Sequence, residues 1–315
     1  MTNTISVIIP AFNEEGSLPE LYRRILLSVS EMQKKGTISR YELLFINDGS
    51  TDATEKIMLD LHEKDTDVRV ISMRRNYGKA TALNAGLRHV KGDIVFTIDA
   101  DLQDDPKEIP RFIEKLEEGY DLVVGWKLNR LDPAEKRLPS KLFNTVTSGF
   151  SGVNLHDHDC GFKAFRREVA DSLDLYGELH RYIPLLAHRQ GFRITEIPVE
   201  HHKREFGRSK YGVERYLRGL FDFLTTIFLI RYSDRPMYFF GKIGLICLVS
   251  GFSICVYLSG LWITGNSIGG RPLLMLGVLL ILLGIQFIST GFIGNLLVDV
   301  THRDHYREDH IKMIV

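Results

Sequence analysis

Ile94-Val-Phe-Thr-Ile-Asp-Ala-Asp-Leu-Gln-Asp-Asp-Pro106 decides the fold: a short run rich in Val, Ile and Phe stops at a knot of carboxylates. An apolar β-branched run of this length, bounded by polar residues, reads as a buried strand. The same design recurs upstream. Ser6–Ile9 runs into Pro10-Ala-Phe-Asn-Glu-Glu15, and Leu43–Ile46 runs into Asn47-Asp-Gly-Ser-Thr-Asp52. Val68–Ser72 and Leu122–Val124 are further strand candidates, with helical stretches such as Leu18–Met32 and Ala53–His62 between them. Strand and helix in alternation predict an α/β domain with a mostly parallel, Rossmann-like sheet covered on both faces. Such sheets bind ligands beyond the carboxyl ends of their strands, so the polar residues that follow the strands carry the chemistry.

Three acidic clusters are thus expected on one sheet edge. Crowded carboxylates repel unless a cation or hydrogen-bond donors offset them. Ser17, Asp52 and Asp105 are placed to cap helices, with Pro106 a suitable first helical residue. Capping does not account for Asp48, Asp99 and Asp101. Asp99 and Asp101 flank Ala100 at a strand end, and with the Gln103 amide they offer oxygen ligands to a hard divalent ion. Neither G-x-x-x-x-G-K-[ST] nor G-x-G-x-x-G is present, so a bound nucleotide is expected to rely on a metal and side chains.

Lys+Arg and Asp+Glu both total 40, which gives no basic excess for nucleic acid. Cys160, Cys247 and Cys255 lack CxxC spacing, which argues against a disulfide framework or a zinc site. His156, His158, His201 and His202 lack H-E-x-x-H spacing and are not expected to ligate metal. The beginning of the chain shows no basic and apolar leader, so no signal peptide is expected. No charge occurs from Ile243 to Gly270 or from Pro272 to Val298, and each run exceeds the roughly 20 residues that cross a bilayer. Arg231, Arg235 and Lys242 precede the first run, His302, Arg303 and Arg307 follow the second, and only Arg271 lies between. The bias places the catalytic domain and both termini in the cytoplasm, at the inner or plasma membrane. Val213 to Ile230 reads as an amphipathic helix on the membrane surface. The expected organisation is a catalytic domain over 1–211, a juxtamembrane helix over 212–236, a transmembrane hairpin over 237–300 and a tail over 301–315. A homo-oligomer built on the hairpin is also expected.

Val7-Ile-Ile-Pro-Ala-Phe-Asn-Glu14, Asn47-Asp-Gly-Ser-Thr-Asp52, Asn76-Tyr-Gly-Lys79 and Asp99-Ala-Asp-Leu-Gln103 together resemble the inverting GT-A glycosyltransferases of family two. Leu155-His-Asp-His-Asp-Cys-Gly-Phe-Lys163 and Arg204-Glu-Phe-Gly-Arg-Ser-Lys210 resemble, more narrowly, the polyprenyl-phosphate glycosyltransferases. That group includes dolichyl-phosphate mannose synthase and the bacterial bactoprenol glucosyltransferases. The resemblance implies a nucleotide-sugar site at Pro10, Phe12, Glu14, Asp48, Lys79 and Asp99, with Mg²⁺ or Mn²⁺ on Asp101 and Gln103. It places Arg204 and Lys210 over the phosphates and makes Asp157 the acidic residue of the cysteine motif, Asp159 standing where Asn is frequent. Lys127, Arg130, Arg137 and Ser140, after the fifth strand, are candidates for the acceptor phosphate. Q-x-x-R-W, the mark of processive relatives, is missing, which implies transfer of a single sugar. The donor it implies is UDP-glucose first and GDP-mannose second, and the acceptor a polyprenyl phosphate.

Overall fold

The computed structural model describes residues 3–127, 153, 155–158, 160–200, 202, 228, 232, 235–268 and 272–304, with the side chains of 299–304 excepted. Arg130, Arg137, Ser140, Arg204 and Lys210 lie outside the described residues, as does nearly all of 213–230. The chain forms two compact units, Met1–Thr226 and Ile227–Val315.

The first unit is built on a mixed seven-stranded sheet. Its strands are β1 (Asn3–Ala11), β2 (Ile38–Asn47), β3 (Val68–Ser72), β4 (Ile94–Thr97), β5 (Leu122–Lys127), β6 (Lys163–Arg166) and β7 (Ile194–Val199), in the order β3-β2-β1-β4-β6-β5-β7. β3, β2, β1 and β4 run parallel, β6 is antiparallel to both β4 and β5, and β7 returns parallel to β5. Val7, Ile8 and Ile9 on β1 and Leu43 through Ile46 on β2 are fully buried, as a sheet covered on both faces requires. α1 (Leu18–Lys34) turns Leu21, Ile25, Val29 and Met32 inward at helical spacing. α2 (Thr54–Lys64) and α3 (Lys79–Leu87) complete the parallel half. α4 (Ile109–Glu117) buries Ile109, Phe112, Ile113 and Leu116. The Phe112 ring lies 4.4 Å from that of Phe162 and 6.1 Å from that of Phe96, a three-ring cluster beneath the ends of β4 and β6. α5 (Arg167–Ser172) and α6 (Ile183–Arg189) lie between β6 and β7.

The second unit contains α7 (Pro236–Ile263) and α8 (Pro272–Asp304). Over Pro236–Ile263 and Pro272–Val298 the mean hydropathy is 2.0 and 2.4, and only 11% of each span is buried. Core helices of a soluble protein would be covered; these display Leu245, Val249, Phe252, Leu282 and Ile293 to the outside. At about 1.5 Å per residue, 28 residues reach beyond the roughly 30 Å of a bilayer core. The two helices meet at glycines. A methyl group at Gly244 would lie 2.8 Å from the Gly284 carbonyl oxygen, and one at Gly251 would lie 2.6 Å from that of Gly277. Asn295 Oδ1 accepts from the Met237 N–H at 3.2 Å, which satisfies a donor at the start of α7.

Candidate active site

Because β2, β1 and β4 are parallel neighbours, the loops after them emerge on one edge, as the acidic clusters require. Asn13 and Leu102 are the non-glycine residues with left-handed backbones among the described residues, at φ 56° and 61°, and both lie in these loops. Asn13 Oδ1 accepts from Thr51 N at 2.8 Å, and Thr54 Oγ1 accepts from Glu14 N at 2.8 Å, which ties the loop after β1 to the loop after β2. Pro10 still belongs to β1, paired with Ile46, while Phe12 and Glu14 stand half-buried beyond it.

Asp48 is buried, and its two carboxylate oxygens accept from Tyr77 N at 2.8 Å and Gly78 N at 3.0 Å. Burial pushes its pKa up, against the pull of those two donors. The contact draws the Asn76–Lys79 motif over the end of β2, and Gly78 takes φ 93° to make that turn. α3 begins at once, and Lys79 Nζ reaches Asp99 Oδ1 at 2.5 Å. Burial would raise the Asp99 carboxyl, but Lys79, Lys127 and Lys163 hold it at about 2. The Gly161 backbone packs against the same carboxylate so closely that a methyl group there would collide with it. Thr97 Oγ1 donates to the Gly161 carbonyl at 2.8 Å and fixes that approach.

Leu102 buries its side chain completely while its backbone turns left-handed. The reversal lets Asp101 Oδ1 accept from Gln103 N at 3.2 Å, so the two predicted ligands sit on one tight turn. The Gln103 carbonyl in turn accepts from His202 N at 3.0 Å, bringing the segment after β7 to the turn. There Asp105, Glu200 and His202 each place a ligand atom within 4.8 Å of the others. His202 Nε2 is shielded from solvent with no hydrogen-bond partner among the described residues, 3.5 Å from Asp105 Oδ2. Two carboxylates and an imidazole nitrogen suit Mn²⁺ or Mg²⁺, so the residues present fit a divalent ion. H-E-x-x-H spacing finds ligands on one helix, whereas these converge from two sheet-edge loops. Asp105 also caps the turn at Pro106–Glu108 by accepting from Lys107 N, as predicted. Ser17 does not cap: its hydroxyl donates to Glu14. Asp52 accepts from Thr54 N at 3.0 Å, at the start of α2.

Lys127 is the last residue of β5, and its Nζ lies 3.4 Å from Asp104 Oδ1. Burial disfavours its charge, yet Asp104, Cys160, Asp99 and Asp157 hold the ammonium form above its ordinary range. Asp104 is fully buried and its oxygens accept no hydrogen bond among the described residues, where the ion pair with Lys127 is its compensation. Asp157 and His158 are buried beside this group, and burial together with Lys163 lowers the His158 pKa to about 4. Lys163 donates to the Cys160 carbonyl, and burial pushes the Cys160 thiol up to about 12, which makes it inert. The sequence reading missed Asp104, which is identified by its burial, and Glu200, which meets Asp105 and His202 only in the folded chain.

The chain matches glycosyl transferase family 2 over residues 6–174. It belongs to that family. A curated member, the dodecaprenyl-phosphate galacturonate synthase of Rhizobium johnstonii, is 37% identical over 97% of this chain and 89% of its own. Among solved structures, glucosyl-3-phosphoglycerate synthase from Mycobacterium tuberculosis in complex with Mn²⁺ and UDP-glucose is similar with a TM-score of 0.54. Its identity is 25%, over 74% of this chain and 81% of that one. The same enzyme with Mn²⁺, UDP and phosphoglyceric acid gives a TM-score of 0.55 at 23% identity, over 74% and 81%. The catalytic unit of this glycosyltransferase therefore has the GT-A fold.

Proposed function

We propose that this glycosyltransferase moves one sugar from a nucleoside diphosphate to a polyprenyl phosphate at a membrane surface, inverting the anomeric centre. The observation that carries the proposal is the left-handed turn at Leu102. It sets Asp101 and Gln103 on one turn, and the Gln103 carbonyl meets His202 of the Asp105, Glu200 and His202 group at the edge of the sheet. These residues would hold Mg²⁺ or Mn²⁺, and such an ion, when bound, neutralises charge on a departing diphosphate. The near-full-length likeness to a dodecaprenyl-phosphate sugar synthase and two apolar helices long enough to span a bilayer support the lipid acceptor.

The chain's own residues take the remaining roles. Pro10, Phe12, Glu14 and Asp48 border the nucleotide. Asp99, held ionised by Lys79, faces the sugar. Arg204 and Lys210 add fixed positive charge at the leaving phosphates. The acceptor is a phosphate monoester, largely dianionic at neutral pH because its second pKa is near ~6. It attacks without a strong base, so Asp157 orients rather than deprotonates. Lys127, Arg130, Arg137 and Ser140 receive the acceptor phosphate in this reading. In-line attack converts an α-linked donor into a β-linked lipid sugar.

UDP-glucose is the donor proposed first, with GDP-mannose as the alternative from sequence. A hexuronate donor is the second reading, favoured by the name of the 37% identical relative. The deciding assay supplies labelled UDP-glucose, UDP-galacturonate or GDP-mannose with undecaprenyl phosphate in detergent, with Mn²⁺, Mg²⁺ or EDTA. Metal-dependent label in the organic phase, lost in Asp101→Ala, is the expected result. The donor that labels identifies the sugar. Nucleotide binding without transfer from any donor would overturn the reading.

A further inference from the structure

The neighbours of Lys127 and Asp157 are joined to each other on the outside of the sheet. The Trp126 and His156 rings stack with centroids 4.0 Å apart and planes 15° apart. Glu196 on β7 holds the same histidine twice. Its carboxylate accepts from His156 N at 2.8 Å and from His156 Nδ1. A carboxylate only accepts, so Nδ1 carries the proton and the ring orientation is set. Strand register explains the meeting: β5 and β7 pair in parallel with Val124 opposite Glu196 and Trp126 opposite Pro198. Val124, Trp126 and Glu196 therefore share one face of the sheet.

The next residue of each segment points the other way. Side chains alternate along a strand, so Lys127 shares its face with Gly125. A methyl group at Gly125 would lie 3.0 Å from Cys160 Sγ. His156 and Cys160 thus touch opposite faces of β5, and Asp157 lies between them in the chain. The His156 side chain is 63% exposed, whereas Asp157 is 1% exposed. Lys127 is nearly buried too, and Asp157 is among the charges that hold its ammonium form. Trp126 precedes Lys127 and His156 precedes Asp157. The outer pair is stacked and the inner pair is buried, so fixing the spacing of one fixes that of the other.

We infer that Trp126, His156 and Glu196 form an outer clasp that positions Lys127 and Asp157 for the acceptor phosphate. All three act through their neighbours, as positioning residues. Residues 155–158 belong to no helix or strand, so no backbone ladder holds them and side chains must. An aromatic stack and a charge-assisted hydrogen bond are both directional enough to do so. Placement is what the acceptor needs, because a displacement of about 1 Å is enough to slow a reaction between bound groups. The inference rests on the reading that Lys127 and Asp157 serve the acceptor phosphate.

The test measures sugar transfer to undecaprenyl phosphate by the full chain in detergent, varying the lipid and the nucleotide sugar in turn. His156→Ala and the isosteric Glu196→Gln are each expected to raise the KM for the lipid about tenfold. The KM for the nucleotide sugar should stay within about twofold, since the clasp acts on the acceptor side alone. The double variant should also lose about tenfold rather than a hundredfold, because each single change opens the same clasp. Trp126→Ala should match them, and Trp126→Phe, which keeps an aromatic face, should recover most of the lipid KM. A Trp262→Phe chain leaves Trp126 as the only indole, and its emission should change on Glu196→Gln as the imidazole leaves the ring. Losses that multiply in the double variant, or an unchanged emission, would overturn the inference. So would both KM values rising together with a lowered melting temperature, the mark of a merely structural role. A wild type that transfers, with the lipid KM of His156→Ala unchanged, overturns the clasp alone. A wild type that transfers to no lipid phosphate overturns the proposed function with it.

Discussion

Glycine lets backbone come close in both units, but to different things. At the sheet edge Gly161 leaves room for the Asp99 carboxylate, whose charge is held by lysines. In the hairpin Gly244 and Gly284, and Gly251 and Gly277, leave room for a neighbouring helix backbone, with no charge nearby. The first closeness serves chemistry and the second serves packing. The same chemical change, a single methyl group, should therefore fail in two different assays.

The largest effect is expected where charge is most exposed to the reaction. Asp101→Ala should lower sugar transfer about a thousandfold, roughly 4 kcal/mol of transition-state stabilisation, with thermal unfolding unchanged. A stability loss matching the activity loss would place Asp101 with the packing residues instead. Lys127→Met should do the reverse at the same edge. It strips the buried Asp104 of its ion-pair partner and should destabilise the catalytic unit by about 4 kcal/mol in denaturant titration. Its double mutant with Asp104→Leu should recover much of that loss. The KM for the lipid should rise as well, since Lys127 also receives the acceptor phosphate in the proposed reading; an unchanged KM in the folded fraction would leave Lys127 to the ion pair alone.

A pH series sharpens the contrast next. His158 stays neutral in the fold down to about 4, whereas an unfolded histidine protonates near 6.5. Its contribution is fully present above about 6.5 and is lost as pH falls towards 4, by up to about 3 kcal/mol. Melting of the catalytic unit should therefore fall more steeply between pH 7 and 5 in wild type than in His158→Gln. Gly161→Ala should cut transfer about a hundredfold, as misplacement of a reacting group does, with a small change in melting. The smallest effect is in the hairpin. Gly284→Ala should weaken the helix pair by about 2 kcal/mol through overpacking, read as lost resistance to detergent, with nucleotide binding by the catalytic unit intact. An activity loss from Gly284→Ala equal to that from Gly161→Ala would break the comparison.

The two halves of the sheet differ in how they are written in the sequence. β1, β2, β4 and β5 stand out because each places an apolar run between two covered faces, and β3, at the sheet edge, still shows Val68, Val70 and Ile71 around Arg69. β6 does not: Lys163-Ala-Phe-Arg166 begins and ends on a cation, and Lys163 is buried while donating to the Cys160 carbonyl. β7 carries Pro198, which argues against a strand until its place at the sheet edge is known. Asp99, Asp101 and Gln103 were legible because motif and strand end coincide. Asp104 and Glu200 were not, because burial and the meeting of distant loops leave no local mark.

The reversal of β6 has one more consequence. Because β6 runs against β5, Lys127 at the end of β5 and Lys163 at the start of β6 are at the same edge of the sheet. A slip of β6 by one residue would therefore turn Lys163 to the opposite face of the sheet and carry Gly161 off the Asp99 carboxylate, so the strand register itself sets the charge balance of the site.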